Sequence, residues 1–76
     1  MHNKQRGANL RQLTELLQEY GEKNAMGELG YTTKAGKKVV LTNVAGYPSL
    51  DFRTSSDISY SPSDNEIQSV IDEINN

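Results

Sequence analysis

The sequence contains no cysteine and no tryptophan, and it has one histidine, one phenylalanine and two prolines among its 76 residues. Without cysteine, a disulfide framework and a cysteine-ligated zinc site are both excluded. The apolar runs are much shorter than the ~20 residues that a membrane-spanning helix requires. We therefore expect a soluble, cytoplasmic protein that folds without disulfides.

The common catalytic arrangements are also lacking. The one histidine, His2, lies at the N-terminus, where chain ends fray, so it is a poor candidate for an oriented general base. There is no Gly-x-Ser-x-Gly elbow, and "KAGKK" lacks the length and the Ser/Thr of a phosphate-binding loop. Asp51, Asp57 and Asp64 do not follow calcium-loop spacing. We predict a protein that is not an enzyme, with no catalytic residues, no metal site and no cofactor.

The chain is short enough to form a single domain with a small core. A domain of this size buries only about 60% of its unfolded surface, so homodimerisation is an open source of further burial. Met1 on so short a chain suggests a complete small gene product, of the kind that phages and mobile elements encode, although no motif supports that origin. The net charge is −2, and residues 51–76 carry six carboxylates against Arg53 alone.

Two segments have apolar residues at helical spacing. In "NLRQLTELLQEYG" Asn9 is a candidate N-cap and Gly21 a candidate C′ residue, which leaves residues 1–8 as a flexible polar terminus and residues 9–76 as the domain. In "SDNEIQSVIDEI" Ser63 and Glu66 match a capping box. The two apolar stripes are Leu10, Leu13, Leu16, Leu17 and Tyr20, and Ile67, Val70, Ile71 and Ile74.

The middle of the chain favours β-strands. "ELGYTT" and "KVVLTNV" are separated by "KAGK", which predicts a hairpin. A three-residue loop over 34–36 sets Tyr31 opposite Val39 and Leu29 opposite Leu41, and we prefer it to a two-residue loop because its apolar pairs are better. The preceding "EKNAMG" is interpreted as a loop, and the following "AGYPS" as a turn.

Residues 50–60 alternate between apolar and polar positions, which is typical of a strand with one solvated side. Pro62 should end this strand, and residues 54–57 should kink it or split it into two. We expect the even positions Leu50, Phe52, Ile58 and Tyr60 to point into the core. The odd positions Asp51, Arg53, Ser55, Asp57 and Ser59 should face solvent.

These elements predict an α+β fold, a small two-layer sandwich in the order α-β-β-β-α with three antiparallel strands, or four if residues 50–60 split. Its core should contain Leu13, Leu17, Phe52, Ile67 and Ile71. If both helices cover one face of the sheet, the other face leaves Val40 and Val44 in the open beside Arg53.

That face suggests a protein-binding module that acts as an adaptor, regulator or inhibitor of another protein. The candidate partner-binding residues are Arg53, Val40 and Val44 on the open face, with Tyr47 and Pro48 in the adjacent turn. Tyr47 could instead fold back over the sheet edge as a lid on the thin core. A third hypothesis is a homodimeric structural protein joined through the same face.

The alternative partner is nucleic acid. Lys34, Lys37 and Lys38 cluster at the hairpin tip, and Tyr31 could stack on a base. The order helix, three strands, helix resembles that of double-stranded RNA-binding domains. Those domains have a lysine-rich motif at the start of the second helix, whereas residues 63–66 here read "SDNE", which would repel phosphate. Nucleic acid is therefore the less favoured partner.

Overall fold

The computed structural model describes residues 2–76, with side chains from Gln5 onward, and contains two helices and one four-stranded antiparallel sheet. The elements in chain order are α1 (His2–Tyr20), β1 (Glu22–Lys23), β2 (Leu29–Thr32), β3 (Lys38–Val44), β4 (Tyr47–Arg53) and α2 (Asp64–Asn75). The strands lie in the order β1-β2-β3-β4. The predicted α+β arrangement is confirmed.

The core lies between the two helices and one face of the sheet. All five residues predicted for it are buried, and Val39 and Val70 join them. Phe52 is 6% exposed and packs edge-on against Tyr60, with 6.4 Å between ring centroids. Because inward-pointing residues of β3 and β4 meet both apolar stripes, the helices lie on the same side of the sheet.

Helix α1 begins earlier than the sequence indicates. Asn9 is not its N-cap, because it lies within the helix, 7% exposed, and accepts a 3.0 Å hydrogen bond from the Gln5 side chain. Arg6 forms an ion pair with Asp64 at the start of α2 and donates to the Pro62 carbonyl at 3.1 Å. This tertiary contact stabilises an additional part of the helix. Met1 lies outside the described residues, and the flexibility of residues 1–8 stays a prediction.

The helix ends where it was predicted to end, for a different reason. Gly21 donates its backbone N–H to the Leu17 carbonyl at 2.9 Å, and its φ is not positive. A Cβ at this position would lie 2.4 Å from the Leu17 carbonyl oxygen. Glycine therefore fits here because the backbone approaches closely.

The hairpin between β2 and β3 has the preferred register. Tyr31 lies opposite Val39 and Leu29 opposite Leu41, and Gly36 has a φ of 89° in the loop. The hairpin between β3 and β4 differs from the prediction. Its turn is only 45–46, with both residues at positive φ, so Tyr47 and Pro48 belong to β4.

A short edge strand occupies part of the segment interpreted as a loop. Glu22 and Lys23 pair with Gly30 and Leu29, so the "EKNAMG" prediction is wrong for its first two residues. The Asn24 side-chain oxygen accepts the backbone N–H groups of Met26 and Glu28, each at 2.9 Å, and this closes the turn. Polar residues of low strand propensity gave no sign of this pairing in the sequence.

Residues 50–60 split at the predicted place. Strand β4 ends at Arg53, well before Pro62, and a turn over 54–57 brings Ser59 opposite Arg53 in an isolated bridge. The turn interrupts the alternation, so Ile58 is 63% exposed and the prediction that it points into the core is wrong. Leu50 and Tyr60 do pack against the core. Ser55, Asp57 and Ser59 are exposed, whereas Asp51 and Arg53 are half-buried.

Helix α2 begins at the predicted capping box. The Ser63 side chain accepts from the Glu66 backbone N–H, and the Glu66 side chain accepts from the Ser63 N–H, both at 3.2 Å. Three stripe residues of α2 are buried, and Ile74 packs against the core. Within residues 2–76, neither helix has the combination of length and apolarity needed to cross a bilayer.

Candidate protein-binding face

The face of the sheet opposite the helices contains side chains from the two longest strands. We call it the open sheet face and define it by Lys38, Val40, Thr42 and Val44 of β3 with Arg53, Asp51, Ser49 and Tyr47 of β4. The residues that lie directly opposite each other are Lys38 and Arg53, Val40 and Asp51, Thr42 and Ser49, and Val44 and Tyr47. Since strand side chains alternate and Val39 and Phe52 point toward the helices, this set points away from them.

One end of the open sheet face is apolar and exposed. Val44 and Tyr47 lie opposite each other beside the two-residue turn and are 65% and 76% exposed. Tyr47 therefore does not cover the core, and the lid interpretation is wrong. Val40, farther along β3, is only half-buried. Of the two valines predicted to lie in the open, Val44 is exposed as expected, whereas Val40 is partly covered.

The other end is a cluster of charged side chains around Arg53. Its Nε donates to Asp51 Oδ2 at 2.8 Å, and its Nη1 lies 3.5 Å from Asp57 Oδ1. Ser59 Oγ donates to the other Asp51 oxygen at 2.9 Å, and Lys38 Nζ lies 3.8 Å from Asp57. We call these five residues the Arg53 cluster. Arg53 was predicted to be a cation available to a partner, but it already contacts two carboxylates of its own chain.

The cluster stabilises its own charges. Partial burial disfavours ionisation of Asp51, but hydrogen bonds from Arg53 and Ser59 outweigh burial, so the pKa of Asp51 lies below its ordinary value. The hydrogen bond to Asp51 raises the pKa of Arg53. Both charges are therefore maintained over the neutral range, and the cluster offers a partner fixed charges of both signs.

A shallow cavity of about 450 Å³ lies between the Arg53 cluster and the strand β1. Gly30 contributes to it by having no side chain between Glu22 and Val40, and Met26, 82% exposed, lies at its border. Sequence reasoning missed Glu22, Met26 and Gly30 because it did not predict β1. The signal that was available is Asn24 followed three residues later by Gly27, a common turn pattern.

Pro48 does not belong to the open sheet face. It has the same parity in β4 as Leu50 and Phe52, so it points to the helix side, where it borders a second groove with Leu10. The structure therefore brings Arg53, Val40, Val44 and Tyr47 onto one surface and places Pro48 on another. Adjacent residues of a strand face opposite sides, and the sequence prediction had placed Tyr47 and Pro48 together in a turn.

The lysines predicted to bind nucleic acid are divided between two surfaces. Lys37 Nζ donates to Glu66 Oε2 at 2.8 Å and lies 5.1 Å from the Tyr60 ring centroid, so it is on the helix side. The hydrogen bond to Glu66 raises the pKa of Lys37. Lys38 lies on the open sheet face, near Asp57. Lys34 is exposed, and its backbone N–H donates to Glu73 at 2.9 Å.

Tyr31, the predicted base-stacking residue, packs partly against the core. Its hydroxyl donates to Glu73 Oε2 at 2.6 Å, and this bond raises the tyrosine's pKa. The residues Lys34, Lys37, Lys38 and Tyr31 therefore do not form one basic, aromatic surface.

Among the side chains that the structure describes, no group of three His, Asp or Glu residues is arranged to hold a metal ion. Comparison of the chain with protein-family models, with curated proteins and with solved structures found no match. The geometry of the chain itself is therefore the basis for a functional proposal.

Proposed function

We propose that this protein is a non-enzymatic protein-binding module that acts as an adaptor, regulator or inhibitor of another protein through its open sheet face. The observation that carries this proposal is the exposed pair Val44 and Tyr47, which lie side by side on the sheet face away from both helices. Clustered exposed apolar side chains commonly mark protein-interaction sites.

The composition of the face supports a protein as the partner. Protein interfaces combine an apolar centre with a polar rim, and tyrosine is among the residues that contribute most to binding. Here Tyr47 and Val44 would form the apolar centre, with Thr42 and Ser49 beside them and the Arg53 cluster at the far end. The cytoplasmic location stays a prediction.

Affinity capture with matched baits tests the proposal. The wild-type chain and a Val44→Thr/Tyr47→Ser variant are used to capture proteins from the native host, and each candidate is then purified and titrated against both baits. We expect a partner that binds the wild-type chain and loses most of its affinity for the variant. Tyr20→Ser is the control, because it removes a tyrosine of similar exposure, 60%, from the end of α1.

A partner that binds both baits equally would contradict the use of this face. The second candidate function is homodimerisation through the same surface, because the Arg53 cluster carries charges of both signs and could pair with a second copy. Sedimentation equilibrium of the purified chain separates the two, since only the homodimer shows a concentration-dependent mass without another protein.

A further inference from the structure

The β4 strand has an unpaired outer edge. It is the last strand of the sheet, and the two-residue turn makes Val44 and Tyr47 a hydrogen-bonded pair, so the odd residues of β4 bond to β3. The even residues consequently direct their backbone groups outward. Tyr60 confirms this direction, because its N–H donates to the Phe52 carbonyl at 2.9 Å from outside the sheet.

Most of these outward groups have no partner. Among the described residues, no backbone or side-chain group pairs with the N–H and C=O of Leu50, the N–H of Phe52 or the C=O of Pro48. Proline at position 48 lacks an N–H, which reduces the usual risk of edge-to-edge aggregation without closing the edge. Because Tyr60 already lies beside Phe52 on this edge, the free part is residues 48–51, about four residues or roughly 13 Å of strand, and it can accept a further strand.

A groove of about 600 Å³ runs beside this edge, between β4, helix α1 and the segment 60–62. Its apolar residues come from β4 itself and from α1 and segment 60–62 beside it, and its charged residues come mainly from α1. The principal lining residues are Leu10, Arg11, Glu15, Leu50, Tyr60 and Pro62. An extended chain in this position would bury alternate side chains against the apolar lining while its backbone pairs with β4.

The charged side chains of the groove favour extended peptides that carry complementary charges. Arg6 already pairs with Asp64, whereas no described carboxylate lies within ion-pair distance of Arg11. Glu15 follows Arg11 by one helical turn, so their Cβ atoms are about 6 Å apart, which matches alternate residues of a strand. A peptide with an acidic residue, then a basic residue two positions away, would complement both.

We propose that the β4 edge and its groove bind an extended peptide segment of another protein as a fifth strand. The peptide has apolar residues that face the groove lining, an acidic side chain for Arg11 and a basic side chain for Glu15. This surface is centred on the other side of the sheet from the open sheet face, because Leu50 and Pro48 point away from the side of Tyr47 and Arg53. The two surfaces meet at the β4 edge, where Ser49 and Asp51 also line the groove. A second copy of this chain is the competing occupant.

The test begins with a displayed library of random twelve-residue peptides selected against the full chain. Selected peptides are synthesised and titrated into ¹⁵N-labelled protein. We expect acidic, basic and apolar residues to be enriched in the selected peptides, and the Leu50 amide to shift and become protected from hydrogen exchange. Arg11→Glu should weaken binding by about tenfold, since it replaces a charge-assisted contact by a repulsive one.

The matched control is Lys23→Glu, the same charge reversal on the opposite edge strand, where Lys23 is exposed; affinity should stay within about twofold. Failure to select any peptide, or shifts confined to Val40, Val44 and Tyr47, would overturn the proposal. So would protection of Leu50 by self-association without peptide, detected as a dimer in sedimentation. These outcomes concern the β4 edge only. The proposed function of the open sheet face is tested separately, with the Val44→Thr/Tyr47→Ser variant.

Discussion

The Tyr31 hydroxyl donates a 2.6 Å hydrogen bond to Glu73, which joins strand β2 to the last turns of α2. The same carboxylate oxygen accepts the backbone N–H of Lys34 in the hairpin loop at 2.9 Å. Glu73 thereby fixes the hairpin tip against the second helix. The tip that the sequence indicated as a basic surface is therefore held by an acidic residue 39 positions away from Lys34 in the chain.

We expect no salt-sensitive binding of RNA or DNA at physiological ionic strength. Lys37 contacts Glu66, and Lys38 lies near Asp57, so binding phosphate would require each lysine to leave a carboxylate. Fluorescence anisotropy with labelled duplexes, at salt from about 50 to 200 mM, measures this directly. A micromolar complex that is lost in Lys37→Glu/Lys38→Glu would contradict the expectation.

Truncation of Phe52 should unfold the domain or nearly so. Its ring is 6% exposed at the centre of the core, and Phe→Ala substitutions at such sites cost about 3–5 kcal/mol. Ile58→Ala is the control, because Ile58 is 63% exposed and its loss should change stability little. Thermal and urea unfolding compare the two. If Phe52→Ala and Ile58→Ala destabilise the protein equally, Ile58 is buried as well. The apolar–polar alternation would then continue through residues 54–57 without a turn.

Two glycine-to-alanine substitutions, one within α1 and one directly after its end, should change stability in opposite directions. Gly21→Ala places a Cβ 2.4 Å from the Leu17 carbonyl oxygen and should destabilise the protein by about 1–3 kcal/mol. At Gly7 the nearest atom to a new Cβ is Arg11 Nη1 at 3.8 Å, so Gly7→Ala should stabilise the helix by about 0.5–1 kcal/mol. Unfolding free energies measure both. A neutral Gly7→Ala would support the sequence prediction that residues 1–8 are flexible.

Acid should destabilise the protein through Glu66. Lys37 donates to its carboxylate, with further bonds from the Ser63 N–H and Tyr60, and together they lower the pKa of Glu66 from its ordinary 4.5. A carboxyl with a lowered folded-state pKa stabilises the fold above its ordinary pKa, and that stabilisation is lost as the pH falls through the folded value. The melting temperature should therefore decline below about pH 4.5.

Glu66→Gln isolates this contribution. The variant should melt at a lower temperature than the wild type at pH 7, and the two curves should converge as the pH falls. The measurement is the melting temperature from pH 7 to about pH 3. A variant with wild-type stability at neutral pH would show that the Lys37–Glu66 contact adds nothing to the fold, as many exposed ion pairs do.

The sequence was sufficient for features that arise from local periodicity. Leucine and isoleucine spacing predicted both helices and four of the five core residues, and the alternation of residues 50–60 predicted the fifth, Phe52. The glycine in "KAGK" indicated the loop, and the better apolar pairs chose the register of Tyr31 and Val39. These features depend on residues that are neighbours in the chain or face each other across a short loop. Helical and strand spacing record such relationships directly.

The features that were missed depend on contacts between distant residues. The ion pair of Arg6 with Asp64 stabilises the N-terminal turns of α1. Strand β1 forms because Gly30 and Leu29 of β2 pair with it. The exposure of Ile58 follows from a turn in which Asp57 takes a φ of 71°, a conformation that polar alternation alone does not indicate. The arrangement of Arg53 between Asp51 and Asp57 follows from the same turn.

Amide chemical shift mapping of the labelled chain, with a partner purified after capture, tests the protein-binding proposal most directly. If the open sheet face binds the partner, the perturbed residues will be Val40, Val44, Tyr47 and their neighbours, and Val44→Thr/Tyr47→Ser will abolish the changes while its melting temperature stays close to that of the wild type. Perturbations confined to the outer surfaces of α1 and α2, with the sheet residues unchanged, would contradict it.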